Sequence, residues 1–524
     1  MTNPGVCPFS PSDFYSALAN PHAPREEVER HSHAKYLFGY LSDLRAESIV
    51  IEDPYTDADF LDDYTAHYAR CFADYKRRCK RVHFFRRTFT DSEVRALLRR
   101  CLSKEEQQAL QRDYLGFVVA RPLPRTIVGR TILRTLDDEA RRRFPATRTY
   151  RANFFGVELK VEGLAFQEQD SVLAACATVA LWSAFHKTAD LFEGTAVPTP
   201  AVITRSATQS VHYGRPIPQH GLRVEEMCAA IRSLGLDPEA VDLKRTSDVP
   251  LVSLIYGYLA MGLPPILIVE IPGLGWHAIT LVGYSIQEKR QRAEEVPGNR
   301  QIIPMAGLRI DKLYGHDDQI GPYSRLAVLD PACCGAPAGA LKSTWKDAHG
   351  QPFVYPVAVI VPVYNKIRLK FPEVQKWLMP LEAVLAAIRP PTLAAEWDVH
   401  LILSNDYKKQ LQGDKIVSDD VKESMLLAQH PRFWWRAVLR VDGLDFCEFL
   451  FDATGIAQSV PVGTVVWKVE SFALALGKIL DDPATSANVA RVLRSERFVR
   501  FLRKTIAQRG DPGAVLRDSA AGEF

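Results

Sequence analysis

The sequence predicts an α+β protein, and two observations carry this. Within residues 146–365 the helix-patterned stretches come first and the strand-patterned stretches follow, from "PPILIVEI" (264–271) to "YPVAVIVPVY" (355–364). That segregation fits a mostly antiparallel sheet rather than a doubly wound one. On either side, residues 1–145 and 366–508 mix short helical and β-branched runs without an internal repeat. A chain of 524 residues has room for several domains, each with its own core.

Residues 1–145 read as an accessory α+β domain. "DADFLDDYTAHYARCFADYKRRC" (57–79) repeats apolar and aromatic residues at helical spacing. "DSEVRALLRRCL" opens a helix with Asp91 at the N-cap and Glu93 close behind, and "YLGFVVARPLP" (114–124) is a strand broken by prolines. The central region, 146–365, starts with the strand "NFFGVELKVEG" and continues with a helix opening near Cys176. A Pro-rich connection (194–205), a helix at 223–236 and the strands at 264–271, 276–286, 308–315, 324–330 and 355–364 follow. An insertion near 287–320 begins with the charged loop "QEKRQRAEEVPGNRQ" (287–301). Residues 366–508 form a C-terminal α+β domain, with helices near 372–388 and 486–508 and strands near 399–404, 434–441 and 445–451. Residues 509–524 read as a disordered tail.

Composition narrows the function classes. The 65 basic and 62 acidic residues leave a net charge of +3. The densest basic runs, "YKRRCKR" (75–81) and "EARRRF" (139–144), read as solvated helix faces, so no nucleic-acid partner is expected. The N-terminus lacks a basic and apolar leader, and no window approaches the roughly 18 apolar residues of a membrane span. A cytoplasmic protein without a membrane partner is expected. The nine cysteines include no CxxC pair, which argues against both a disulfide framework and a structural zinc site. Cys333 and Cys334 read as ordinary thiols near a turn, and Cys228, Trp434 and Trp435 as packing residues.

The chemistry centres on "FQEQDSVLAACATVALW" (166–182). A thiol at a helix N-terminus beside a protonated histidine becomes a thiolate nucleophile. Cys176 stands where such a helix opens, with Val179, Trp182 and Phe185 on its buried stripe; His186 reads as a cation near its C-terminal end. Of thirteen histidines, His277 is the best partner, because "IPGLGWHAITLVGY" sets it after a Gly-rich turn at the start of an apolar strand. Asp330, closing the strand "RLAVLDP", is the candidate that orients the imidazole. Gln169, seven residues before Cys176, is preferred over Gln167 as the side-chain donor to an oxyanion. "HDDQIGPYSR" (316–325) reads as a structured turn or substrate lip; contiguous ligands do not converge easily on one ion, so no metal is expected there. Asp170, Trp276, His316, Asp317 and Gln319 are the candidate substrate-binding residues. His212 and His220 lie in the loop "HYGRPIPQH", the less favoured candidate for a substrate lip.

Gln169, Cys176 opening a helix, "GWHAITLVGY" and "AVLDP", in that order, resemble the papain-like cysteine peptidases. The nearest branch is that of the bacteriocin-processing, double-glycine leader peptidases. The resemblance covers the central region only and implies a papain-like fold, with the Cys on a helix and the His and Asp on an antiparallel sheet. It implies a bacterial thiol protease that needs no cofactor and acts on a protein or peptide. It further implies Cys176 as nucleophile, His277 as general base and acid, Asp330 as orienter and Gln169 as oxyanion donor. The sequence departs from the family in register: Asp170 holds the place six residues before the thiol, and 53 residues separate His277 from Asp330. Two other functions stay open, an acyl or glutamyl transferase on the same thioester chemistry and a non-catalytic papain-like binding module.

Overall fold

The structure, a computed structural model of the 524-residue chain, describes residues 5–136, 141–170, 175–192, 197–209, 221–245, 249–288, 303–329, 337, 339–390, 392–456 and 460–520. It is α+β with antiparallel sheets. The chain divides into two compact units. The first comprises Met1–Asp242, Gly262–Ser285 and Asp311–Val363, and the second Leu243–Met261, Ile286–Ile310 and Tyr364–Phe524. The region before residue 145 thus belongs to the same unit as Cys176 and His277.

The first unit starts with a five-stranded sheet in chain order: β1 (Gly5–Pro8), β2 (Ser48–Tyr55), β3 (Cys79–Phe85), β4 (Tyr114–Ala120) and β5 (Val128–Leu133). Its central strands are buried on both faces, β4 along its whole length. The helical spacing seen from residue 57 ends at Ala66, and Cys79 already begins β3. The next helix is capped by Thr90 rather than Asp91, because Thr90 and Glu93 form a reciprocal capping box. After the short β6 (Arg142–Arg143) comes a hairpin, β7 (Arg148–Phe154) and β8 (Val157–Gly163). β8 alternates exposed and buried residues, as a half-buried strand does.

The remaining strands of this unit are β9 (Leu236–Asp242), β10 (Ile266–Ile271), β11 (Gly275–Ile286), β12 (Ile310–Asp317), β13 (Gly321–Val328), β14 (Leu341–Lys342) and β15 (Phe353–Tyr364). They pair in the order β10-β11-β12-β13-β14-β15, and β10 also pairs with β15, which closes a six-stranded barrel. β9 adds to β15 and β6 to β11. Closure accounts for the near-continuous apolar runs "ILIVEI" and "VAVIVPVY": these strands have few polar positions because few of their side chains meet water.

The Cys176–Leu191 helix is buried on every side from Ala177 to Thr188, so a single apolar stripe does not describe it. His186 is buried within it, edge-on to Trp182 at 4.6 Å, and burial holds its pKa well below the ordinary histidine value. It is a neutral packing residue rather than a terminal cation. Thr280 on β11 donates to the carbonyl of Ala180 at 2.7 Å, tying helix to barrel. The Ser32–Asp43 helix joins the barrel through Tyr36, whose hydroxyl donates to Pro322 O at 2.9 Å.

The second unit holds an antiparallel meander, β16 (Ala395–Leu403), β17 (Phe433–Val441), β18 (Leu444–Asp452) and β19 (Val462–Trp467), with helices beside it. Trp397, Trp434 and Trp435 are fully buried in it. The stretch expected as one helix near 486–508 is two, Pro483–Leu493 and Glu496–Ala507, divided at Arg494 in the left-handed conformation (φ 54°). The expected disordered tail is a helix over Pro512–Ala520. Val515 and Leu516 are buried, and Leu516 joins the core around Met425 and Trp434. The apolar pair is spaced so that one helical turn buries both, a signal outweighed in sequence by the Gly, Pro and charged residues around it.

Candidate active site

Cys176 is the first residue of its helix, and Ala175 at the N-cap supplies no side-chain hydrogen bond. The first-turn N–H groups and the positive end of the dipole therefore remain for an anion at the thiol. His277 lies near the start of β11, opposite Val269 of β10, and is 5% exposed. Its Nε2 lies 2.9 Å from Oδ1 of Asp317, and the Cys176 side chain is among the neighbours that raise the pKa of the ring.

Among the described residues the acid hydrogen-bonded to His277 is Asp317, at the end of β12. The expected orienter, Asp330, lies outside the described residues, as do Cys333, Cys334, His212, His220 and most of the 287–301 loop. The sequence reading placed Asp317 among substrate-binding residues. Its true position follows from strand pairing, since β12 runs beside β11. Gly315 permits this: a Cβ there would sit 2.5 Å from Cγ2 of Ile279, well inside van der Waals contact.

Asp317 is fully engaged. Besides His277 it accepts from the backbone N–H of Gln319 at 3.1 Å and from the indole Nε1 of Trp345 at 2.7 Å. The Trp345 ring also stands edge-on to His277, with centroids 5.0 Å apart. Trp345 shields the His–Asp bond from water and fixes the carboxylate. It escaped the sequence reading because nothing in "KSTWKDAHG" separates it from an ordinary loop tryptophan.

Burial opposes the charged forms of both partners, and their pairing overrides it. The Asp317 charge, hydrogen bonds to Asp317 and Cys176, and the Asp318 charge together hold the His277 pKa well above the ordinary histidine value. His277, Trp345 and the Gln319 N–H hold Asp317 below the usual carboxylate range. Asp318 has the opposite balance. Burial, with Asp317 and Glu168 nearby, pushes its carboxyl up to about 7 against the pull of His277. Its Oδ1 is 3.5 Å from His277 Nε2, and neither carboxylate oxygen has a hydrogen-bond partner.

The other candidates divide clearly. His316 is buried and bonded through both nitrogens, Nε2 to Leu164 O at 3.0 Å and Nδ1 from the Tyr323 N–H at 3.2 Å; burial lowers its pKa to about 3. It is a neutral clasp between β12, β13 and the segment before Cys176, not a substrate contact. Asp170 is buried and accepts from the Tyr68 hydroxyl, so its carboxylate is an internal acceptor instead of a substrate contact. Trp276 is exposed beside His277, as is Leu274, and Gln319 is exposed beyond its backbone bond to Asp317.

The glutamine segment is held firmly. Thr131 and Phe166 exchange backbone hydrogen bonds of 2.7 and 3.0 Å, and Ser183 of the Cys176–Leu191 helix donates to Ala165 O at 2.9 Å. Gln169 is half-buried here, while Gln167 is buried and its Nε2 has no acceptor. Among the described residues, two groups have ligand atoms close enough to hold a metal ion: His277 with Asp317 and Asp318, and His31 with His33 and Glu168. In the first, the Trp345 and Gln319 bonds already occupy Asp317. A cavity of about 390 Å³ lies elsewhere in this unit, beside Lys35, Tyr36, Tyr314 and Arg325, and includes none of these residues.

Among known proteins, neither a family model nor a curated sequence matches this chain.

Proposed function

We propose that the chain is a papain-like cysteine peptidase or amide hydrolase working through Cys176, His277 and Asp317. One observation carries the reading: a thiol at a helix N-terminus, near a buried histidine whose Nε2 is fixed on a buried carboxylate. Buried structural cysteines are inert and lack such a partner. The raised histidine pKa adds support, because it favours an imidazolium next to a thiolate.

In the proposed reaction His277 takes the Cys176 proton, and the thiolate attacks the carbonyl carbon of an amide. The C=O π pair moves to oxygen, and the oxyanion is held by the Cys176 backbone N–H and a glutamine amide. Gln167 brings stronger support than Gln169 as that donor, because its buried Nε2 has no acceptor within the protein. The intermediate collapses with cleavage of the C–N bond, and His277 returns the proton to the leaving amine. Water, deprotonated by His277, then attacks the thioester, releasing the acid and the thiol. Asp317 keeps the imidazole oriented through both steps and stabilises its cation. The exposed Trp276 and Leu274 border the thiol side of His277 and give a substrate peptide an apolar contact.

The test is cleavage of a proteome-derived peptide library by the full chain, read by mass spectrometry, beside iodoacetamide labelling. Cleavage is expected to vanish in Cys176→Ala, and Cys176 is expected to alkylate at pH 6 far faster than free cysteine, with the excess lost in His277→Ala. Cleavage that survives Cys176→Ala, or alkylation no faster than free cysteine, sinks the reading. Product carrying an added amine in place of water assigns the same thioester to transfer rather than hydrolysis.

A further inference from the structure

The N-terminal region carries no chemistry that sequence patterns reveal, yet two of its histidines end up beside the acid turn of the site. His31 caps the start of the Ser32–Asp43 helix and His33 lies in its first turn. Glu168 comes from the segment that leads to Cys176. We propose that His31, His33 and Glu168 form a binding site for a divalent transition ion of zinc's class.

His33 makes the case sharpest. It is buried, and its Nε2 donates to the backbone carbonyl of Asp318 at 2.8 Å. That bond places the ring proton on Nε2 and a lone pair on Nδ1. Nδ1 is buried, has no hydrogen-bond partner and lies 3.4 Å from Glu168 Oε1. A lone pair facing a carboxylate oxygen in a buried space is repulsive unless a cation lies between them.

His31 Nε2 lies 3.1 Å from the same Oε1 and donates to the carbonyl of Arg125 at 2.9 Å, which leaves its lone pair on Nδ1, also buried without a hydrogen-bond partner. The spacing favours the metal. Donors 2.0–2.1 Å from zinc at tetrahedral angles stand about 3.3 Å apart, close to the 3.4 Å between His33 Nδ1 and Glu168 Oε1. All three ligand atoms lie within 4.8 Å of one another. The supports are in place as well. Glu168 Oε2 accepts from the Val128 N–H at 3.1 Å, leaving Oε1 toward the histidines. His33 Nε2 on a backbone carbonyl is the kind of outer bond that fixes a ligating imidazole. Arg121 is nearby, but its guanidinium is committed to Thr126 O and Glu168 O.

The ion has a structural consequence. Through His33 it anchors the carbonyl of Asp318, the residue next to Asp317, so it holds the turn that orients His277. His31, His33 and Glu168 are positioning residues in this scheme.

The test is zinc uptake by the full chain after treatment with EDTA, followed by calorimetry, by metal analysis after gel filtration and by the visible spectrum of the cobalt form. One equivalent is expected, with a tetrahedral cobalt spectrum free of a thiolate charge-transfer band and a raised melting temperature. Glu168→Gln and His33→Gln, shown to be folded by circular dichroism, are expected to weaken binding at least a hundredfold. Cys176→Ala and His277→Ala are expected to keep it. No uptake by the wild type, uptake unchanged in both Glu168→Gln and His33→Gln, or uptake lost in Cys176→Ala or His277→Ala overturns the proposal. None of these readouts depends on catalysis, so a failed peptidase assay leaves the metal test intact.

Discussion

Each unit buries a cluster of charges, and the two clusters are built on opposite plans. In the second unit Glu448 accepts two bonds from Arg436, at 2.7 and 3.0 Å, and one contact from Lys468 at 2.5 Å. Lys468 also reaches Asp414 and Asp445, and Asp398 is held by His400, Arg440 and Tyr256. Every carboxylate in that cluster has a partner. In the first unit His277 and Asp317 are paired just as well, but Asp318, the Gln167 Nε2 and His33 Nδ1 are buried without hydrogen-bond partners. Unpaired buried polar groups each cost roughly 1–3 kcal/mol. The carboxylates of the second cluster are all hydrogen-bonded, whereas Asp318 of the first is not.

The contrast breaks first at Asp317. Asp317→Asn keeps the shape but removes the charge that holds His277 as a cation. Under the proposed mechanism it lowers kcat by about a thousandfold or more, with the urea midpoint nearly unchanged. A drop below tenfold would make Asp317 merely structural. Next comes Glu448→Gln, which removes the carboxylate that faces Arg436 and leaves Lys468 with Asp414 and Asp445 alone. It costs about 3–5 kcal/mol, read from urea unfolding by tryptophan fluorescence.

The pH dependence of stability separates the clusters by sign. Glu448 and Asp398 are held below the usual carboxylate range. Burial opposes this, and the ion pairs and hydrogen bonds overcome it. Their contribution is complete above the unfolded value of about 4 and fades as pH falls through the lower folded values. Asp318, raised to about 7, runs the other way. Its protonated form contributes stability below about pH 4, and this is lost as pH rises through 7. Asp318→Asn is therefore expected to stabilise the protein at pH 8–9 by on the order of 2–4 kcal/mol and to do nothing at pH 4. An equal gain at both values would contradict the buried, unpartnered carboxyl. The smallest effect is that of Trp345→Phe, which removes one donor to Asp317 and keeps the ring on His277. About a tenfold loss in kcat and a lowered histidine pKa, by NMR titration, are expected.

Much of this site was legible in the chain. Cys176 opens a helix because an apolar run begins there without proline, and His277 opens a strand because a Gly-rich turn precedes "HAITLVGY"; both are local patterns. The orienting acid was not legible. Asp317 and Asp330 lie in comparable polar ends of strand-like runs, and only the pairing of β12 with β11 selects Asp317. Pairing is long-range and leaves no period in the sequence. His31 and His33 were invisible for the same reason, since their partner Glu168 is more than 130 residues away. Five of the six barrel strands were foreseen within a few residues and the two-residue β14 was not, whereas β9, directly after Gly235, and the helix at 512–520 were hidden by turn-forming neighbours.

The pairing of β10 with β15 has a consequence for how the protein wears out. A sheet with an open margin frays there, and its outer amides exchange with solvent through small local openings. Here Val269, across from His277, pairs on its other side with Pro356, so the histidine's strand is backed by a ring without a loose end. Deuterium should enter β10 and β11 only through large openings of the first unit. Heat or denaturant should then abolish thiol reactivity in one step with that unit's unfolding, with no earlier stage in which the fold persists and the proton relay is lost.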